Sequence, residues 1–431
     1  MWWARARPVL TPRGGDYHGR HPTARSRTVT RRRLLVLVAV AVLAALAVAA
    51  GVVLLGGDDD SRSDAAPAAE TGPARDGARG LQRCSALADD SARACYAEVL
   101  EVLVDEAAEP AAALEEIAVA AYTSEDGFLL ANCHGLMHTV GREYAVARGV
   151  TLGNLMDVLP RTNEPGCSAG FAHGLITGVA PEIDVSRPEA SAAVCEDTTT
   201  RYQRYSCVHG FGHAFMRISG EELPEALRLC QALGPEAADC AQGAFHDYWF
   251  AVAGADDTER PETVVEDPRV LCGGQAPEFV RPCWYRAFVD DRPDEPVASG
   301  ADIEALCSGL DGLQREGCVT AASVVGPIEP QAQLSICTEL RGEDVLSCIR
   351  GTKVQNLITS PGEELVALLR RCDAFPAATG LECYRWLGKV LAVLTNGEFE
   401  HLGCPAAPSE RARQACVQGA RASDEALETF S

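Results

Sequence analysis

One segment decides the fold: residues 225–254, which read EALRLCQALGPEAADCAQGAFHDYWFAVAG. Its first nine residues are amphipathic, with apolar residues at Leu227, Leu229 and Leu233, and they predict a short helix. Gly234 can end that helix in a left-handed turn, and Pro235 suits the first position of a following helix. The segment therefore predicts a helical hairpin, with Cys230 late in the first helix and Cys240 early in the second.

The cysteine spacing of this hairpin recurs along the chain. The second cysteine of each pair, together with two further cysteines, forms a series from Cys95 to Cys416 with a step of about 36 residues, a period typical of two-helix repeats. We therefore predict an all-α array of about ten disulfide-stapled helical hairpins within residues 81–431. The pairs 10–12 residues apart are Cys84/Cys95, Cys195/Cys207, Cys230/Cys240, Cys272/Cys283, Cys307/Cys318, Cys337/Cys348, Cys372/Cys383 and Cys404/Cys416.

The 18 cysteines are even in number, which indicates disulfides formed in an oxidising compartment. Cys133 and Cys167 fall outside the short pairs, so we predict that they join each other and bridge two units. This hypothesis gives nine bonds and no free thiol. Each short staple closes a loop of about 11 residues, worth roughly 3 kcal/mol in the chain-entropy model.

This layout, from about residue 84 to 416, resembles the disulfide-stapled Sel1-like repeat proteins, in which each helix hairpin carries its own bridge. The sequence departs from that family because its cysteines lie further apart and the Gly-rich turn consensus is absent. The resemblance therefore implies a stapled helical array and no activity or functional residue.

The N-terminal region predicts a membrane anchor. Residues 34–55 are 22 consecutive uncharged and mostly apolar positions, long enough to cross a bilayer as one helix. Basic residues 1–33 precede them and an acidic linker, residues 56–80, follows, so the positive-inside rule places the N-terminus in the cytoplasm. We predict a disordered basic segment, a signal-anchor helix and an extracytoplasmic domain of a single-pass plasma-membrane protein. The alternative is a cleaved signal peptide.

The charge distribution excludes nucleic acid as a partner. The net charge of −23 is the sum of +8 in residues 1–33 and −31 in the remaining 398 residues. An acidic domain of this kind repels the phosphate backbone.

Six of the nine histidines share one register of the repeat. Units two to five each contain Gly-x-x-His after the second cysteine, whereas the later units keep the cysteine and lose the histidine. If histidine served packing alone, every unit would keep it, so a local function in the units at about 120–253 is the better explanation. The six residues are His134, His138, His173, His209, His213 and His246.

The spacing of these histidines is typical of a metal site. His-x-x-x-His places two imidazoles one turn apart on a helix face, and the intervening glycine leaves room for a neighbour or a ligand. Each half offers one such pair and a single histidine on the next helix, so we predict either two triads or one six-histidine cluster. Three imidazoles with an open position suit a transition metal such as zinc, copper or iron. This ligand spacing also resembles that of the type-3 dicopper proteins.

Several alternatives stay open at this point. The histidines could be buried and hydrogen-bonded without an ion. With an ion, the protein could be a metalloenzyme that activates water or oxygen, or a binding protein without chemistry. Candidate supporting partners of the histidines are Glu143, Tyr144, Asp247 and Tyr248.

The second hypothesis is a non-enzymatic scaffold that binds an extracytoplasmic protein. Its binding face would be formed by Arg and aromatic residues of the later units, although inter-repeat packing explains them equally well. These residues are Trp284, Tyr285, Arg286, Tyr384, Arg385 and Trp386.

Overall fold

A computed structural model describes residues 80–422, apart from residue 88 and the segments 124–126, 253–266, 291–295, 328, 353–361 and 398. The predicted basic segment 1–33, the predicted anchor 34–55 and nearly all of the predicted linker lie outside the described residues. In the part of the chain that is described, no helix combines the length and the apolar character needed to cross a bilayer.

The described residues are helical and contain no strand, which confirms the all-α fold. A helical turn at 80–84 comes first. The helices that follow are α1 (Asp89–Glu106), α2 (Pro110–Thr123), α3 (Gly127–Arg148), α4 (Leu155–Val158), α5 (Cys167–Gly178), α6 (Pro188–Ala192), α7 (Arg201–Ile218), α8 (Leu223–Gln231), α9 (Ala237–Val252), α10 (Pro268–Gly273), α11 (Pro277–Asp290), α12 (Gly300–Leu306), α13 (Gly312–Val324), α14 (Pro330–Cys337), α15 (Asp344–Arg350), α16 (Gly362–Arg371), α17 (Ala377–Leu394), α18 (Phe399–Leu402) and α19 (Glu410–Arg421).

The hairpin predicted at residues 225–254 is present as α8 and α9. Gly234 has a φ of 61°, the left-handed conformation that ends the first helix. The second helix starts two residues later than the sequence suggests, because Gly234–Glu236 form a 3₁₀ turn and Pro235 lies in that turn. Cys230 and Cys240 join across this connection, so the staple holds the two helices at a fixed distance.

All nine predicted disulfides are present, and no cysteine is free. Eight of them link residues 10–12 apart, and the ninth, Cys133–Cys167, joins α3 to α5 across 34 residues. A chain with this many disulfides belongs in an oxidising, extracytoplasmic environment.

The second helices of successive hairpins pack side by side and form a continuous buried layer. The order of contacts is α3, α5, α7, α9, α11, α13, α15, α17 and α19. The array is curved, since α17 also contacts α7, and the Asn163 side chain donates to the carbonyl oxygens of Val393 and Leu394, each at 3.3 Å. The histidine motifs lie on α3, α5, α7 and α9, so this layer brings them together.

Two of the four motif glycines, Gly170 and Gly243, serve helix packing. A Cβ on Gly170 would lie 2.1 Å from the carbonyl oxygen of His134, and one on Gly243 would lie 2.0 Å from that of His209. The glycines therefore admit a neighbouring helix backbone, and α3/α5 and α7/α9 are two equivalent tight crossings.

Candidate metal centre

The six predicted histidines lie in one contiguous cluster. The closest ring centroids are 4.6 Å apart, in the pairs His138–His213 and His173–His209. The widest separation among contacting rings is 6.3 Å, between His209 and His246. Three imidazoles around one tetrahedral ion would have centroids about 5 Å apart. Because these helices cross closely, histidines that share one register of the repeat lie close together in space. They form one cluster in place of two separate triads.

One set of three nitrogens has the geometry of a metal site. The Nε2 of His138 lies 3.1 Å from the Nε2 of His134 and 3.2 Å from the Nδ1 of His173. Nitrogen ligands 2.0–2.1 Å from a tetrahedral ion are ~3.3 Å from each other. These three histidines form one group able to hold a metal ion, and they are the first of the two triads that the sequence suggests.

The His134 ring is oriented by two backbone carbonyls. Its Nδ1 lies 3.2 Å from the oxygen of Pro165 and 3.1 Å from that of Gly166. Carbonyl oxygens only accept, so Nδ1 carries the proton and Nε2 of the neutral ring presents its lone pair to the cluster. A backbone partner of this kind is a common second shell for a metal-binding histidine.

His213 is oriented by a carboxylate. Its Nδ1 donates to the Oδ1 of Asp247 at 2.7 Å, so the lone pair is on Nε2. That Nε2 is buried and has no hydrogen-bond partner among the described residues. Carboxylate–imidazole pairs with the second nitrogen aimed at an ion are typical of metal centres. His213 belongs to a second group able to hold an ion, with His173 and His209.

His246 does not belong to either group, and Arg286 occupies one of its two nitrogens. The Nη1 of Arg286 donates to the Nδ1 of His246 at 2.6 Å, so neutral His246 carries its proton on Nε2 and acts as a donor there. Arg286 is buried, its Nη2 lies 3.5 Å from the Nε2 of His209, and Asp290 lies 3.5 Å from its Nη1. The second group thus contains His173 where the sequence predicts His246. The Arg286 guanidinium lies beside this group, 3.5 Å from the Nε2 of His209.

Burial keeps five of the six imidazoles in their neutral form. It lowers the pKa of His134 to about 4 and holds those of His138, His173, His209 and His246 well below the ordinary value. The neighbouring histidines and the Arg286 guanidinium lower them further, because they repel a second positive charge. Neutral imidazoles are the form that binds metal ions.

These shifts predict that the metal-free protein loses stability in mild acid. The unfolded chain binds protons on these five histidines below pH ~6.5, whereas the five folded rings stay neutral. The free energy of unfolding therefore decreases as the pH falls below that value. Each buried ring contributes up to about 1.4 kcal/mol per pH unit. Urea denaturation of the metal-free protein, prepared with a chelator, measures the loss of unfolding free energy between pH 7 and pH 5. This loss should be smaller in a His209→Gln variant, which lacks one of the buried rings. A free energy of unfolding that stays constant from pH 7 to pH 5 would contradict the prediction.

The other predicted partners have different surroundings. Glu143 pairs with Arg142 at the surface, and Tyr144 packs against Phe171 beside Arg148. Asp247 bonds a cluster histidine, whereas Tyr248 is buried and its ring packs against Trp249. Of the residues proposed for a scaffold face, Trp284, Tyr285, Arg286 and Tyr384 are buried, so packing is the better explanation for them.

The sequence pattern assigns Arg286 to the scaffold face and not to the histidine cluster, because unit six has neither the glycine nor the histidine of the motif. A weak signal exists, since Arg286 lies among the mostly apolar residues 283–288, and an arginine buried among such residues needs an internal partner. The resemblance to Sel1-like repeats rests on the hairpin layout and its staples. Compared with protein family models, with curated proteins and with solved structures, the chain matches none of them.

Proposed function

We propose that this protein binds a transition-metal ion such as zinc, copper or iron through His134, His138 and His173, in an extracytoplasmic domain anchored to the membrane by residues 34–55. The anchor rests on the 22 uncharged positions between basic and acidic flanks. The extracytoplasmic location is supported by the nine disulfides. Together these two features support an ectodomain at the cell surface.

The observation that carries the proposal is the spacing of the three nitrogens. Their separations of 3.1 and 3.2 Å fit one ion. Two backbone carbonyls accept from the Nδ1 of His134, so the lone pair of its Nε2 faces the other two rings. Hydrogen bonds alone could satisfy this triad, because His138 can donate one proton to its neighbours. They cannot satisfy the buried Nε2 of His213, which Asp247 leaves as an unpartnered acceptor among the described residues.

The geometry also supports chemistry at the ion. Three imidazoles leave a fourth position open for water, and His134 and His138 are only half-buried. A bound ion would lower the pKa of a water at the open position. The ring of His213 lies 4.6 Å from that of His138, so its Nε2 would be placed to accept a proton there. Asp247 would hold the resulting imidazolium. This extends the proposal to a metal-dependent hydrolase, with His213 as the base.

A binding experiment tests the metal site directly. Full-length oxidised protein, reconstituted in turn with zinc, copper and iron and then desalted, should retain about one ion per chain. His138→Ala removes the nitrogen shared by both short contacts, so its affinity should fall at least about 100-fold, more than the loss of an outer-shell partner. Elemental analysis and competition with a chelator measure both values.

His401→Ala is the matched control, because His401 is exposed and lies outside the cluster. This variant should bind the ion as the unmodified protein does. Retention of no metal by the unmodified protein, or equal loss in both variants, would remove the proposal. A site that binds the ion but shows no hydrolysis of ester, phosphate or amide substrates would remove the catalytic extension alone.

A further inference from the structure

Arg286 lies between a cluster histidine and a carboxylate. Its Nη1 is 2.6 Å from the Nδ1 of His246 and 3.5 Å from the Oδ1 of Asp290. That Oδ1 is itself 4.0 Å from the Nδ1 of His246. The side chains of Arg286 and Asp290 are only 2% and 3% exposed. The guanidinium therefore takes the place of a direct hydrogen bond between the imidazole and the carboxylate.

The preceding unit contains the same pair without an arginine. Asp247 and Asp290 stand seven residues after the second cysteines of their units, and His213 and His246 stand six residues after theirs. In each pair, a histidine on one helix of the layer is close to an aspartate on the next helix. Asp247 accepts from the Nδ1 of His213 at 2.7 Å. By register, Asp290 is the corresponding partner of His246.

The arginine reverses the tautomer of His246 relative to that of His213. The carboxylate of Asp247 places the proton of His213 on Nδ1 and leaves a lone pair on Nε2. Arg286 instead donates to the Nδ1 of His246, so the proton of that ring is on Nε2. A ring nitrogen binds a metal ion only through a lone pair. The one lone pair of His246 is therefore engaged by the guanidinium.

The His209 ring is oriented with its lone pair toward the same arginine. The Tyr205 hydroxyl donates to the Oε1 of Gln242 at 3.1 Å, so its oxygen accepts from the Nδ1 of His209 at 3.5 Å. The lone pair of His209 is thus on Nε2, which lies 3.5 Å from the Nη2 of Arg286. A second metal ion bound here would be repelled by the guanidinium charge at this short distance.

A second ion would need His246, because His173 already serves the first triad. The rings of His209 and His246 lie 4.9 and 5.1 Å from the ring of His213, and 6.3 Å from each other. The buried Nε2 of His213 has no hydrogen-bond partner among the described residues. These three rings are therefore close enough for a second site, and the tautomer of His246 is what they lack.

We propose that Arg286 prevents the triad of His209, His213 and His246 from binding a metal ion. It does so by engaging the lone pair of His246 and by placing a positive charge beside His209. This inference deepens the proposed function and rests on it, because it limits the cluster to the one ion of the first triad. Arg286 is then a specificity-determining residue, which separates a site for one ion from a site for two.

Removal of the guanidinium tests the proposal. The full-length oxidised Arg286→Met protein, reconstituted with zinc or with copper and then desalted, should retain one more ion per chain than the unmodified protein. Arg286→Lys keeps the positive charge and should show no gain. Nitrogen-15 NMR of the metal-free proteins gives a second readout. The proton of His246 should be on Nε2 in the unmodified protein and on Nδ1 in Arg286→Met, where Asp290 becomes its acceptor.

Arg201→Met is the matched control. Arg201, at the start of α7, also bonds a buried carboxylate of the next helix, that of Asp239 at 2.8 Å. This variant should retain as many ions as the unmodified protein. If Arg286→Met does not fold, the double variant with Asp290→Asn takes its place, since the amide oxygen also accepts from His246.

The outcomes separate this inference from the proposed function. An unchanged metal content in Arg286→Met, an equal gain in Arg201→Met, or a His246 proton that stays on Nε2 would overturn the role of Arg286. If the unmodified protein retains no ion and Arg286→Met retains one, the proposed function is wrong and the role of Arg286 is supported. Metal content is measured by elemental analysis in every variant.

Discussion

Replacing Gly170 with Ala will lower the free energy of unfolding by about 3–5 kcal/mol and will separate the proposed metal ligands. The added Cβ would lie 2.1 Å from the carbonyl oxygen of His134 and 2.9 Å from its carbonyl carbon. Both atoms belong to the backbone, so no side chain can rotate away, and α5 must move by more than about 1 Å. Because His173 is on α5 and His138 on α3, the nitrogens would lose their spacing.

Gly135→Ala is the control for this effect. Gly135 stands beside His134 in the preceding motif, and a Cβ there would have no heavy atom within 4 Å. Ala is the better helix former, so this variant should be as stable as the unmodified protein or more stable by about 0.5–1 kcal/mol. Chemical denaturation and metal content are measured for both. Equal behaviour of the two variants would contradict the close crossing of α3 and α5.

The cysteines explain why so much of the fold could be predicted. A short staple requires its two cysteines to be about 5–6 Å apart at Cα, so a spacing of 10–12 residues fits the turn of a hairpin. Repetition then supplies the architecture, and elimination pairs Cys133 with Cys167. The helix starts were less predictable, since Pro235 allows either a 3₁₀ turn or a first helical turn.

The sequence predicts which histidines lie together, but it does not predict the protonation of each ring nitrogen. Register alone brings six histidines to one place, but which nitrogen carries a proton depends on partners distant in sequence. Asp247 is 34 residues from His213, and Arg286 is 40 from His246. Arg286 is on α11, the next helix of the layer, outside the histidine-bearing units. Its hydrogen bond to His246 depends on the packing of α9 on α11, which the sequence does not show.

Removing the Cys133–Cys167 bridge, as Cys133→Ser with Cys167→Ser, should have a similarly large effect. The bridge closes a loop of 34 residues, which is worth about 4 kcal/mol in the chain-entropy model. It differs from the other eight because it joins α3 to α5, one residue before His134. We therefore expect the metal affinity to fall together with stability.

The bridge Cys404–Cys416 provides the comparison, because it closes 12 residues within one hairpin in the last unit, which carries no motif histidine. Its removal should cost about 3 kcal/mol in the same model and leave the metal content unchanged. Denaturation curves and elemental analysis of both double variants separate the two roles. If both lose the ion equally, metal binding depends on global stability, and the special role of the first bridge is wrong. If the first loses it alone, the disulfide holds two ligand helices together, and a staple of the fold is also part of the site.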